Sequence, residues 1–328
     1  MKRQRKTVFH FTWLAMMGMI FLGVQASSVA LAEYPERPVE IVVKGGPGSG
    51  INQLGHFAAK LAPKYLGQPM ACLYKKGGSG AVAQAYIQKR PADGYHVFMD
   101  TTTTAIVLAQ GKVPFTEKDW QGVIRLQVDP QGVAVRSDSP WKNFKDLAEW
   151  IRKNPGKVRW AGSHAVGIDP YTVSLLLKAG GLDSSDIKYV PTEGASQMTT
   201  MLLGKHIEVA ILNPPEVKEQ EAAGNFRVLG MGHPERLKDH PDWPTFKEQG
   251  FDVVVAIWRG ALVKAGTPAP VIKKLHDTFN AMRKDPAFVQ FLKNSAQLDG
   301  YMGGTEKFHP FFVDQVQEMR RYFTEQKK

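Results

Sequence analysis

The sequence predicts an α/β protein of two domains, each a mostly parallel sheet flanked by helices. Three observations carry this. Short β-branched or aromatic runs, most of them continuous and apolar, alternate with segments whose apolar residues recur at helical spacing. Regular alternation of this kind builds parallel sheets covered by helices. With 328 residues the chain is long for a single core and comfortable for two domains.

The N-terminal segment stands apart. Lys2, Arg3, Arg5 and Lys6 precede an apolar run from about Phe11 to Val24 and the small-residue pattern Ala30-Leu31-Ala32. Together these read as a secretory signal peptide spanning residues 1–32. The run is shorter than the roughly 18–20 residues of a membrane span, and no cysteine stands at the cleavage site to take a lipid. Export places the mature chain in a periplasm. Cys72, the only cysteine, cannot form an internal disulfide and reads as a buried structural thiol in PMACLY, so stability must come from a large core.

Along the mature chain, strands are predicted at 39–43, 69–74, 95–100, 132–136, 157–161, 207–212 and 226–231, with a further pair within 251–263. Helical spacing links Leu54, Phe57, Ala58, Leu61, Ala62 and Tyr65, and recurs over 143–154, 171–179, 195–203, 268–283 and 305–328. GTPAP puts Thr267 at an N-cap with Pro268 at the first helical position. Gly67, Gly181 and Gly224 close their segments.

Most enzyme signals fail. In VVKGGPGSGINQ, Gly45 and Gly50 have P-loop spacing, but Ile51 and Asn52 follow where Lys and Ser or Thr must reach phosphate and magnesium. The dinucleotide fingerprint fails because Gln53 stands where a third glycine is needed. No G-x-S-x-G elbow surrounds Ser49, Ser79 or Ser163, and the nine histidines show no metal-ligand spacing. No metal and no cofactor are therefore expected. His233 and His240 flank a polar segment and read as solvent-facing, and His164 reads as a satisfied loop histidine. Asp93 reads as a turn residue capping local backbone, and Glu208 as a surface strand edge. Asp169 is open to two readings, a helix cap or a ligand contact.

The net charge of +11, about +7 without the leader's four basic residues, suits a small anionic ligand through steering. Its basic residues intermix with acids, as in KNFKDLAEWIRK, so no nucleic-acid partner is expected. Unusual loops follow five of the predicted strands: VVKGGPGSGIN, YKKGGSGA, MDTTTTA, WAGSHAVGIDP and ILNPPE. In open α/β sheets the carboxyl edge is where ligands lie. Gly, Ser, Thr and Asn there offer neutral donors, and helix N-termini add positive potential. Such a lining holds a carboxylate and lacks the acid–base pairs that turnover needs.

The same residues carry a resemblance. P-x-x-P-V-x-I-V-V, LGQP, K-x-G-x-G-A-V-A, PADGYHVF, Thr101–Thr104, PGKVRWAGS, VP-x-x-G-A, LLGKHIEVAILN, W-R-G and AGTPAPVI occur in that order. Over nearly the whole mature chain this resembles the extracytoplasmic solute receptors of tripartite tricarboxylate transporters, the Bug receptors. The resemblance implies a two-lobed periplasmic binding protein of the type II, cross-over kind. Lobe one would comprise residues 33–130 and 254–328, and lobe two residues 131–253. A small organic anion would bind between them and pass to a membrane permease of large and small subunits. A monomer is expected.

By position, the resemblance assigns the first ligand loop to Gly48, Ser49, Gly50 and Asn52, with Asn52 where an Asp is usual. Thr102 and Thr103 match the second loop. Gly162, Ser163, His164 and the stretch to Asp169 match the lobe-two loop, which ends in Tyr171 where a His is common. Leu212 replaces a frequent acid, ahead of the typical Asn213. The missing acids argue against an amino acid and for an unaminated carboxylate with an aromatic or apolar body. Arg259 is open to two readings, a partner for a second carboxylate or a hinge salt bridge. Two alternatives to transport remain: a sensor presenting ligand to a membrane kinase, and a secreted enzyme using His164 and Asp169.

Overall fold

The computed structural model describes residues 34–46, 49–163, 165, 167–295 and 297–325. The predicted leader at 1–32, together with Gly48 and His164, lies outside the described residues. All elements below belong to one unit, Arg37–Lys328.

The chain opens with β1 (Val39–Val43), α1 (Gly50–Leu61), α2 (Pro63–Leu66), β2 (Met70–Tyr74), α3 (Ala81–Gln88), β3 (His96–Thr101), α4 (Thr102–Ala109) and β4 (Trp120–Pro130). It continues through β5 (Gly132–Arg136), α5 (Phe144–Lys153), β6 (Val158–Ser163), α6 (Ile168–Ala179), β7 (Ile187–Thr192), α7 (Ala195–Leu203), β8 (Val209–Leu212), α8 (Pro214–Ala222) and β9 (Phe226–Met231). It ends with β10 (Ala256–Lys264), α9 (Ala269–Lys284), α10 (Pro286–Asn294), β11 (Leu298–Gly303) and α11 (His309–Glu325). The result is two α/β lobes, a six-stranded sheet in the order β11-β4-β10-β3-β1-β2 and a five-stranded sheet in the order β7-β6-β8-β5-β9.

The pairing is more mixed than a mostly parallel sheet implies. In the first sheet β1 pairs parallel with β2 and β3, whereas β10 runs antiparallel to β3 and β4, and β11 antiparallel to β4. In the second, β6, β7 and β8 are parallel and β5 is antiparallel to β8 and β9. The reversals occur where the chain crosses between sheets. β4 leaves the first sheet at Pro130 and β5 enters the second at Gly132, so Gln131 is the crossing residue. Its N–H donates to Val255 O at 3.0 Å, and its carbonyl accepts from Gly232 N at 2.7 Å, which ties the outgoing and returning segments together.

Local chemistry explains most elements. In α5, Phe144, Leu147, Ala148 and Ile151 recur at helical spacing and are buried, and the Asn143 side chain caps the first turn by accepting from Asp146 N at 2.9 Å. Burying each large side chain of such a face contributes about 1.5–3 kcal/mol. Phe144 meets Phe246 and Phe251 edge-on, at 5.2 and 4.9 Å between centroids.

Several expectations need correction. The segment 251–255 is not strand, and one continuous β10 replaces the predicted pair. Thr267 does not cap α9; its hydroxyl donates to Lys264 O at 2.7 Å, and Pro268 takes the N-cap position with Ala269 opening the helix. His240 is only partly exposed: it stacks on Trp243 with centroids 3.8 Å apart, and burial lowers its pKa. Cys72 is partly buried, and burial pushes its thiol up to about 11. Asp93 behaves as read, accepting from Tyr95 N at 3.1 Å.

Candidate ligand-binding site

Six strand–loop–helix units put helix N-termini at the carboxyl edges of the two sheets, and four of them carry the candidate ligand residues. In the first sheet, β1 leads into α1 and β3 into α4; in the second, β6 leads into α6 and β8 into α8. Each such N-terminus leaves backbone N–H groups without intrahelical partners and carries partial positive charge.

At α1, Ser49 is the N-cap. Its hydroxyl oxygen accepts from Asn52 N at 3.4 Å and donates to Gly46 O at 2.8 Å. Asn52 is buried and donates Nδ2 to Gly45 O at 3.3 Å, so it staples the glycine loop from inside. Gly50 has no room for a side chain: a Cβ there would stand 2.9 Å from both Arg259 Nη2 and Gln297 Nε2. Beneath this loop, Lys44 Nζ lies 2.5 Å from Asp100 Oδ1, and the Thr104 hydroxyl also bonds Asp100. Burial lowers the Lys44 pKa against the attraction of Asp100.

At α4, Thr101 caps the helix by accepting from Thr103 N at 3.3 Å. Thr102 is fully buried, and its hydroxyl accepts from Trp258 N at 2.9 Å. Thr103 is half-buried and keeps its hydroxyl 3.2 Å from that of Thr101.

At α6, Gly167 holds the N-cap position and Asp169 stands in the first turn, so Asp169 is not the helix cap. Its Oδ2 accepts from Ser163 N at 2.7 Å, which fixes the end of β6. Gly162 passes so close to Tyr189 that a Cβ would meet the phenol oxygen at 2.5 Å. At α8, Asn213 is the N-cap of a capping box: its N–H donates to Glu216 Oε2 at 2.8 Å. The Asn213 Nδ2 donates to Asp129 O at 3.2 Å and Pro130 O at 2.9 Å, joining the second sheet's edge to the crossing segment.

Between these edges lies a buried polar cluster. Arg259 Nη2 donates to Asp129 Oδ2 at 3.2 Å, with side-chain exposures of only 9% and 6%. Burial raises the Asp129 pKa even against Arg259. Glu216 is pushed up to about 8, chiefly by burial, with Asp129 and Asp169 adding to the rise. Of the two readings of Arg259, the structure places an ion pair with Asp129.

The structure thus links Gly50 to Arg259, Arg259 to Asp129, Asp129 and Pro130 to Asn213, and Asp169 to Ser163. Asn52 and Thr102 sit in the same region with their polar atoms turned to the protein. Sequence reasoning missed Gln127, Asp129, Gln131 and Glu216. Three polar residues at alternate positions in QVDPQ were the available signal, since alternation puts them on one face of a strand. Among the described residues no cluster of His, Cys, Asp or Glu is arranged to hold a metal ion, and no helix is long and apolar enough to cross a membrane.

A two-lobed α/β protein with helix N-termini of both sheets directed at one buried polar cluster is a protein of the solute-binding class. The chain belongs to the TctC family, the tripartite tricarboxylate transporter family receptors, which it matches over residues 56–327. It is 27% identical over 320 residues to a UPF0065 protein of Bordetella pertussis, covering 96% of this chain and 94% of the relative. Its fold is similar to that of a TctC solute binding protein from Polaromonas solved with no ligand (TM-score 0.80, 24% identity, 89% of this chain and 99% of that one). It is also similar to an R. palustris protein solved with adipate (TM-score 0.71, 22% identity, 89% and 97%). MatC from Rhodopseudomonas palustris with bound malate shares the fold as well (TM-score 0.70, 20% identity, 89% and 99%). Family and fold are those of periplasmic solute-binding receptors.

Proposed function

We propose that this protein captures a small organic carboxylate between its lobes and passes it, chemically unchanged, to a membrane permease of large and small subunits. Lobe one comprises residues 33–130 and 254–328, lobe two residues 131–253, and the leader at 1–32 directs export. The observation that carries the reading is the set of four helix N-termini at the carboxyl edges of the two sheets. Neutral donors at Gly50 and Thr103 on one lobe, and at Gly162 and the Ser163 hydroxyl on the other, hold a carboxylate without a salt bridge. Lobe closure then replaces its water shell with fixed N–H groups. The adipate and malate of the R. palustris proteins support the organic-acid class.

A thermal-shift screen of the mature protein against mono-, di-, tri- and aromatic carboxylates tests this. A binder at a hundredfold excess over Kd adds about 2.7 kcal/mol of stability. A shift with amines or sugars and none with any carboxylate would sink the proposal. Consumption of a carboxylate by the purified protein would favour an enzyme.

A further inference from the structure

β4 carries Gln127 and Asp129 at alternate positions, so the two project toward one face, and Gln131 follows directly after the strand. Arg259 stands opposite Gln127 in the register of β10 against β4. All four are buried, with exposures of 0%, 4% and 0% along β4 and its end, and 7% for Arg259. A buried polar stripe is costly unless its atoms are paired, and this one is only half satisfied.

Arg259 uses Nη2 on Asp129, while its Nε and Nη1 are buried without hydrogen-bond partners. So are Asp129 Oδ1, both amide atoms of Gln127, and the Oε1 atoms of Gln131 and Gln297. Gln297 Nε2, like Arg259 Nη2, would stand 2.9 Å from a Cβ on Gly50. It also lines a cavity of about 540 Å³ whose walls include Pro214 and Leu237 on one side and Arg283 and Leu292 on the other.

Charge decides what the cluster accepts. Arg259 is already neutralised by the Asp129 carboxylate beside it, Asp169 is a further acid, and Glu216, whose carboxyl is lifted to about 8, supplies no positive charge. A second ligand carboxylate would therefore reach Arg259 only beside like charge. The unpartnered atoms include both donors (Arg259 Nε and Nη1, Gln127 Nε2) and acceptors (Asp129 Oδ1 and the three glutamine oxygens).

We infer that this cluster is a distal subsite for an uncharged group that both donates and accepts hydrogen bonds, a hydroxyl or a carboxamide. The preferred ligand is then a monocarboxylate bearing such a group rather than a dicarboxylate. The inference rests on the receptor reading above, in which the helix N-termini hold the ligand's single carboxylate. A hydroxyl at the subsite donates to Asp129 Oδ1 and accepts from Arg259 Nε or Nη1; a methyl leaves those atoms unpaired.

The test is calorimetric titration of the mature protein with four matched acids at chain lengths of four to six carbons. These are the dicarboxylate, its monoamide, the ω-hydroxy acid and the plain monocarboxylate. The monoamide or hydroxy acid should bind at least about tenfold more tightly than both the dicarboxylate and the plain acid, because a buried donor–acceptor set rejects a partner that cannot pair with it. Asp129→Asn should shift the preference about tenfold toward the dicarboxylate by removing the like charge. A wild-type protein that binds the dicarboxylate most tightly, or the plain acid equally well, overturns the subsite and leaves the carboxylate receptor standing. Binding of no carboxylate at all overturns both.

Discussion

The hydroxyl of Thr102 accepts the backbone N–H of Trp258 at 2.9 Å and lies 3.4 Å from the carbonyl of Ala256. It pins the start of α4 to β10, at the place where the returning chain re-enters the first sheet. Its neighbour Thr103 is half-buried, with a hydroxyl that only touches Thr101. Of the two adjacent threonines, Thr102 is therefore committed to the fold, and Thr103 keeps the freer hydroxyl.

Thr102→Val should destabilise the fold by about 1–3 kcal/mol, because the buried N–H of Trp258 loses its acceptor. Thr103→Val should weaken carboxylate binding about fivefold with stability nearly unchanged, since the hydroxyl's net contribution is about one kcal/mol. Urea unfolding and calorimetric titration of the two variants separate these effects. Unchanged affinity for Thr103→Val would remove that loop from the site.

Gly50→Ala places a methyl 2.9 Å from Arg259 Nη2 and Gln297 Nε2. Both are ends of flexible side chains, so the clash itself is relieved cheaply, but the displaced guanidinium loses its register with the buried Asp129. Ligand affinity should fall at least about tenfold, and stability should fall too, by up to about 3–5 kcal/mol if the ion pair is lost. A variant that binds normally would show that Arg259 need not be held in place.

Lys44 and Asp100 form a buried ion pair, with side-chain exposures of 9% and 0%. Asp100→Asn leaves the Lys44 charge uncompensated and should cost about 3–5 kcal/mol. Replacing both by apolar residues of similar volume should restore most of that loss. A single variant as stable as the wild type would mean that the ammonium finds another partner beneath the glycine loop.

Glu216 sets a pH dependence. Burial, aided by Asp129 and Asp169, lifts its carboxyl to about 8, although the Asn213 N–H pulls the other way. In the unfolded chain the group titrates near 4.5. Between those values the folded protein holds a proton that the unfolded chain releases. Stability should therefore fall as pH rises through this window, by at most about 1.4 kcal/mol per pH unit. Glu216→Gln should flatten the slope. Urea midpoints at about pH 5 and about pH 8 decide it, and identical slopes for wild type and variant would refute the assignment.

Much of the fold was legible because its signals are local. The run VEIVV is apolar on both faces and became a central strand of the first sheet, paired on each side. The spacing of Phe144, Leu147, Ala148 and Ile151 marked α5 with its cap. α4 was missed for the opposite reason: TTTAIVLA is buried almost all round and shows no polar face to set a period. β4 was missed because Gln127 and Asp129 interrupt its apolar run, although both are buried.

The site divides in the same way. Glycine and hydroxyl loops after strands pointed to Ser49, Gly50, Thr103 and Ser163 as neighbours of a bound anion, since a strand–loop–helix unit is written in consecutive residues. Asn52 stood out as a departure in its loop, and the structure turns it inward onto Gly45.

What the sequence by itself determined was an α/β chain of two lobes, of the receptor family, with helix N-termini collected at the sheet edges. Burial periodicity and capping act over a few residues, so they can be read without the fold. Only the tertiary structure decided that Arg259 meets Asp129 across 130 positions, that Gln297 closes over Gly50, and that Glu216 shares their field. Those pairings depend on strand register and on the chain crossing at Gln131, which no local pattern encodes, and on burial, which turns ordinary polar residues into a half-satisfied cluster.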